Sequence, residues 1–256
     1  MSWRTRCTWY GIIFIPIQHM IKTIISLFDI HYPFNIDLSG INKFIKEVQP
    51  DEIILWWDQI DLVWVSKFYH LGQEEWMYEA LKEIKWFEEI LKTFKRISPK
   101  TKIIWIDGNH EHRIWEFVKY SVERSEILNI HKIFKPYVHK FIKYNDFYKT
   151  GKLYRTHWIY CNDNHAKKHS LNVWKNVIYW HMHEIQTYSS KTLVWDKPHI
   201  AKSRPCLCTL NPEYKNNLPS WWTNWLWITY IRENGLFDDY TITITNWKFI
   251  YWGKYY

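Results

Sequence analysis

Aspartate, histidine and asparagine gather in five short groups along the 256-residue chain: Asp29-Ile30-His31, Asp58-Gln59-Ile60-Asp61, Gly108-Asn109-His110-Glu111, His157, and His181-Met182-His183. Carboxylate, imidazole and amide oxygen are donors for borderline to hard divalent cations such as Mn, Fe, Zn or Ni, and these groups offer no thiolate. Singly, each is weak. A D-x-H occurs by chance, and a lone histidine such as His157 is far more often an ordinary surface or core residue. Their weight comes from position, because each group directly follows a segment that reads as a β-strand.

Those segments are short and β-branched. KTIISL at 22–27 ends at Asp29, IILW at 53–56 delivers Asp58, and KIIWI at 102–106 delivers Gly108 to Glu111. KLYRT at 152–156 precedes His157, and NVIY at 176–179 precedes His181. Between the first two strands, Ile41, Phe44, Ile45 and Val48 mark one face of a helix stopped by Pro50. Met77, Ala80, Leu81, Ile84, Phe87, Ile90, Leu91 and Phe94 mark a long amphipathic helix before the third. Alternating strands and helices predict βαβ crossovers and a largely parallel sheet, with its sites at the carboxyl ends of strands. Beyond Pro205, the runs LCTL (207–210), LWITYI (226–231), YTITIT (240–245) and FIYW (249–252) predict an antiparallel portion.

One domain over residues 20–256 is expected, after an extension of residues 1–19. The extension carries Arg4, Arg6 and an apolar stretch from Ile12 to Ile17, but Pro16 interrupts it, no small-residue cleavage site follows, and it is too short to span a bilayer. Met20 stands directly before the first strand, which predicts that translation begins there. The formal charge of +8 favours an anionic partner, although the lysines form no dense run. Four cysteines without paired CxxC spacing fit a reducing cytoplasm, with Cys206 and Cys208 read as packing on a strand.

In order and spacing the five groups resemble the calcineurin-like metallophosphoesterase family, whose pattern runs D-x-H, GD-x-x-D, GNHE, H and GH-x-H. The likeness spans residues 22 to about 231, and CLCTLNPEY from Cys206 with the stretch Asn164 to His169 resembles a phage-associated branch. The resemblance implies a four-layer α/β/β/α sandwich of two mixed sheets flanked by helices. It implies that Asp29, His31 and His183 hold one divalent metal, that Asn109, His157 and His181 hold a second, and that Asp58 bridges the two. His110 would protonate the leaving group, with Asp61, Glu111 and Arg113 behind the ligands. A bridging hydroxide would leave such a cage at about +1, attractive to phosphate, and would attack a phosphate ester in line. A phosphodiester, nucleotide or nucleic acid is the expected substrate, with no membrane partner.

Alternatives differ in class. A phosphoprotein phosphatase would continue the second group with Arg-Gly, whereas Leu62 and Val63 follow Asp61. A small-molecule phosphomonoesterase or a non-catalytic metal-binding scaffold would keep the same ligands. A serine or cysteine hydrolase lacks its G-x-S-x-G elbow here, and Cys161 has only proximity to His165 in its favour.

The composition carries a further signal. The chain has 19 Trp and 7 Gly, where average usage gives roughly 18 glycines. Trp174, Trp195 and Trp247 stand where turns are expected, and Trp57, Trp158 and Trp180 stand where the family pattern has glycine; Trp225 and Trp227 lie near a further family motif around Thr223 and Asn224. A gene in which one codon means glycine, translated as though it meant tryptophan, would produce this pattern.

Overall fold

Strand β1 (Ile21–Phe28) has no solvent-facing side over its second half, because it lies in the middle of a sheet covered on both faces. The computed structural model describes residues 21–65, 73–119, 122–157, 163–179, 183–190, 198–211 and 222–256. The N-terminal extension, Trp158, Cys161, Trp180, His181 and Trp195 lie outside the described residues.

Around β1 the first sheet is completed by β2 (Glu52–Trp56), β3 (Lys102–Ile106) and β4 (Lys140–Ile142), all parallel. The second sheet holds β5 (Tyr148–Thr150), β6 (Leu153–Arg155), β7 (Asn176–Tyr179), β8 (Thr187–Ser189) and β9 (Ile200–Ser203), ordered β5-β6-β7-β9-β8. The chain then returns to the first sheet through β10 (Trp225–Arg232) and β11 (Phe237–Thr243), antiparallel on the far side of β1, and ends in the hairpin β12 (Ile250–Tyr251) and β13 (Lys254–Tyr255). The helices are α1 (Ser39–Val48), α2 (Gln73–Ile97), α3 (Asn109–Val118), α4 (Val122–Ile127), α5 (Ile130–Phe134) and α6 (His165–Val173).

Period-two alternation sorts the strand residues into layers. Ile25, Leu27, Ile53, Leu55, Ile103 and Trp105 pack against Phe44 of α1, Phe87 and Leu91 of α2 and Phe134 of α5. Their neighbours Ile24, Phe28, Ile54, Ile104 and Ile106 face the second sheet, meeting Leu153 and Ile178. On the outer side of that sheet, Val177, Tyr179 and Ala201 meet Ala166 of α6. The result is helix, sheet, sheet, helix, the mixed α/β sandwich expected. No helix among the described residues is long and apolar enough to cross a membrane.

Helix α1 ends as its sequence dictates. Gln49 adopts φ 47°, its N–H reaches Ile45 O at 2.9 Å, and Pro50 disfavours a further helical turn. One expected strand is absent: residues 207–210 form no ladder, and Cys206 and Cys208 make only single bridges to Asn224 and Asn35. Proline at 205 and 212 removes amide donors on both sides of that run.

A buried charge cluster ties the two sheets together. Asp239 of β11 accepts from Arg204 and, at 3.2 Å, from Lys202 of β9, and its other oxygen accepts from Thr229 at 3.1 Å. Arg204 lies 4.0 Å over the Trp227 ring. Burial pushes the Asp239 carboxyl up, but the Arg204 and Lys202 cations overcome it and hold it below its ordinary value. Asp239→Asn leaves Arg204 buried without its counter-charge, and a loss of about 3 kcal/mol is expected in urea unfolding. Because the folded value is depressed, this contribution is complete above the unfolded carboxylate value of about 4 and disappears as the pH falls below it. The deficit of the variant should therefore shrink in acid.

Candidate metal centre

The loops leaving β1, β2 and β3 stay in register past the ends of the strands. Asp29 N donates to Trp56 O at 3.3 Å, His31 N to Asp58 O at 2.9 Å, Tyr32 N to Gln59 O at 2.9 Å, and Trp57 N to Ile106 O at 2.8 Å. The sheet's own pairing thus brings the D-x-H and D-x-x-D groups side by side. Within this frame Asp29, His31, Asp58 and His183 all take φ between 41° and 53°. Such backbone costs about 1–3 kcal/mol per residue and persists where surrounding structure fixes it.

Glu111, fully buried in the first turn of α3, does the fixing at β2. Its carboxylate accepts from four backbone amides: Gln59 at 2.7 Å, Gly108 at 2.8 Å, Asp58 at 3.0 Å and Ile60 at 3.3 Å. Burial, with Asp58 and Asp107 nearby, raises its proton affinity, and the amide donors oppose the rise. Gly108 permits the approach, since a Cβ there would lie 2.2 Å from Asp58 Oδ1.

Asp29 is wholly buried, and neither carboxylate oxygen has a hydrogen bond; His183 Nε2 stands 3.1 Å from Oδ2. His31 gives its Nδ1 to Asp61 Oδ1 at 2.8 Å, which leaves its buried Nε2 without a hydrogen-bond partner. Donor atoms of Asp29, His31 and His183 lie within 4.8 Å of one another. Burial and then the Asp58 charge push the Asp29 carboxyl well up. A carboxylate and an imidazole nitrogen, both buried and unsatisfied, fit a cation better than any protein partner present.

The second set is partly visible. One end of the Asn109 amide faces Asp58 Oδ2 at 3.0 Å, and the other faces Arg113 Nη2 at 3.0 Å. With nitrogen toward Asp58 the amide hydrogen-bonds both neighbours; with oxygen toward Asp58, two acceptors adjoin, an arrangement that a shared cation satisfies. His157 is buried, near enough to Asp58 that, with His110 and His31, it overrides burial and holds that carboxyl below its usual range. His181 lies outside the described residues.

His110 packs edge-on against His31, ring centroids 4.7 Å apart, with Nδ1 against the Asp61 carbonyl. Burial lowers its proton affinity to about 4. Asp61 thus holds both imidazoles, His31 through its carboxylate and His110 through its backbone carbonyl, with Oδ1 3.7 Å from His110 Nδ1.

Cys206 and Cys208 are buried in the core between the sheets, as expected. In addition, Cys208 Sγ is 3.9 Å from His183 Nδ1, and both sulfurs fall within 4.8 Å of that imidazole. The expected ligand groups contain no thiol, yet two thiols back one of them. His165 and His169 lie on the buried face of α6. His165 is buried between Tyr179 and Glu184, and His169 stacks on Tyr179 at 3.6 Å, because this helix forms the outer layer over β7.

A cavity of about 810 Å³ lined by Lys95, His131, Lys132, Lys135 and Lys140 contains none of the candidate ligands. It opens where β4 begins, whereas the buried donors gather where β1, β2 and β3 end.

No family model and no curated protein sequence matches the chain. One solved crystal structure superposes on 88% of it and on 100% of its own chain, with a TM-score of 0.40 and 9% identity.

Glu111→Gln would turn an amide nitrogen toward backbone N–H donors. The expected loss is about 2 kcal/mol of stability, measured by urea unfolding.

Proposed function

We propose that the chain hydrolyses phosphate esters with two divalent cations, as a member of the calcineurin-like metallophosphoesterases that its five residue groups resemble. The observation that carries this reading is Asp29: a fully buried carboxylate without a hydrogen bond, beside two imidazoles, one of them with an unsatisfied nitrogen.

Asp29, His31 and His183 would hold one cation, Asn109, His157 and His181 the other, with Asp58 between them. Cations there supply Lewis acidity and lower the pKa of water enough for hydroxide to serve as nucleophile at neutral pH. The chain's own residues do the rest. Asp61 fixes His31 in the tautomer that leaves Nε2 free to ligate. Glu111 holds the Asp58 loop rigid through its backbone amides, so that Asp58 would need no reorganisation to serve as a ligand. His110 donates its Nδ1–H to the Asp61 carbonyl, so in the neutral ring Nε2 is bare and is the atom that would take up a proton and pass it on. It is neutral at rest, and an entering phosphate anion raises its proton affinity, preparing it to protonate the departing alkoxide. Arg113, against Asn109, supplies positive charge beside that ligand. The positive net charge of the chain suits a phosphodiester, nucleotide or nucleic acid.

With Mn added, hydrolysis of a bis-aryl phosphate diester above background is expected. Asp58→Asn should lower it by about 10²-fold or more, and His110→Gln should lower kcat by about 10²–10³-fold while leaving Mn binding intact. Equal rates for the parent and Asp58→Asn would remove the catalytic reading and leave a metal-binding scaffold.

A further inference from the structure

Among the described residues, four tryptophans occupy backbone that L-residues with bulky side chains avoid. Trp57, Trp174, Trp247 and Trp252 have φ of 49°, 52°, 65° and 50°. Left-handed backbone is reached without strain by glycine and tolerated by Asn or Asp, whereas a bulky side chain there is a genuine outlier.

Each position also has a local geometry that selects glycine. Trp174 closes α6, its N–H on Ser170 O at 3.3 Å, in the left-handed residue that ends many helices and is usually glycine. Asn246 and Trp247 form a two-residue hairpin in which Thr245 and Lys248 exchange both backbone bonds, at 2.9 and 3.1 Å. With both φ values positive this is a type I′ turn, for which Asn-Gly is the favoured pair. Trp252 and Gly253 make the same kind of turn between the paired residues Tyr251 and Lys254, and the indole there is 87% exposed. Trp57, directly before Asp58, is fully buried with its indole N–H unpartnered, its ring 5.3 Å from that of His157.

Trp64 and Trp105 contrast with these four. Trp64 donates to Glu83 Oε1 at 2.6 Å and Trp105 to Asp107 Oδ1 at 2.9 Å, and neither has positive φ.

We infer that positions 57, 174, 247 and 252 are glycine positions, and that the protein its gene specifies carries glycine there, through a codon read as glycine rather than tryptophan. At position 57 the consequence is functional. Glycine removes an indole wedged between Trp56 and His157 and opens the space around Asp58 in which the second cation would sit. That last consequence rests on the metal-centre reading; the assignment of glycine itself does not.

Two tests separate these. First, the codons at 57, 174, 247 and 252 should be identical to one another and different from those at 64 and 105, and tandem mass spectrometry of the protein from its natural source should read glycine at the four and tryptophan at the two. Tryptophan in the peptides covering all four would overturn the inference. Second, in recombinant protein, Trp174→Gly, Trp247→Gly and Trp252→Gly should each raise the melting temperature by about 2–4 °C, against the usual cost of introducing glycine, whereas Trp105→Gly lowers it. Melting at or below the parent for all three would also overturn it. In the same protein Trp57→Gly should tighten Mn binding at least tenfold in calorimetric titration; unchanged Mn affinity with raised melting at the other three would refute the metal-site consequence alone.

Discussion

The centre of this molecule depends on two buried carboxyl groups, Asp29 and Asp58, held side by side at the ends of adjacent central strands. Asp29 has no hydrogen bond among the described residues, and His183 Nε2 stands 3.1 Å from its Oδ2. In a medium of low polarity an ionised carboxylate is costly unless neighbouring charge compensates it. The donor atoms around Asp29 form a group that could hold a cation. His31 Nε2, His183 Nε2 and the Asn109 amide converge on these two carboxylates, and the Asp61 and Glu111 carboxylates hold imidazole and backbone in place behind them.

Holding such a site requires rigidity, and the layers supply it. The loops after β1 and β2 hydrogen-bond to each other as a continuation of the sheet, so left-handed residues at 29, 31 and 58 are fixed by backbone pairing rather than by their own preference. Behind them, side chains of α1, α2 and α5 fill one face of the sheet, and the second sheet fills the other. Each buried aliphatic or aromatic side chain contributes about 1.5–3 kcal/mol, so the two interfaces together offset a handful of strained residues.

Much of this was legible in the sequence, for identifiable reasons. The parallel strands announced themselves because runs such as IILW and KIIWI are apolar on both faces, and the helices because Ile41, Phe44 and Ile45 repeat at helical spacing. The candidate ligand groups were visible because each directly follows a strand-like segment. What alternation cannot reveal is what a buried side chain faces. Cys206 and Cys208 were read as packing because period two places them inside without saying that His183 lies opposite. The pairing of Asp239 with Arg204 joins residues 35 apart in sequence across two sheets, and no local pattern encodes it. The glycine deficit was visible in composition, and Trp57, Trp174 and Trp247 were visible from motif and turn context; the backbone angles add Trp252.

Anomalous diffraction from crystals soaked in Mn tests the central claim most directly. Two peaks a few Å apart are expected, one among Asp29, His31, Asp58 and His183, the other among Asp58, Asn109 and His157, with His181 completing it. No peak within reach of Asp29 and His31, or Mn bound only at surface carboxylates, would contradict a dinuclear centre.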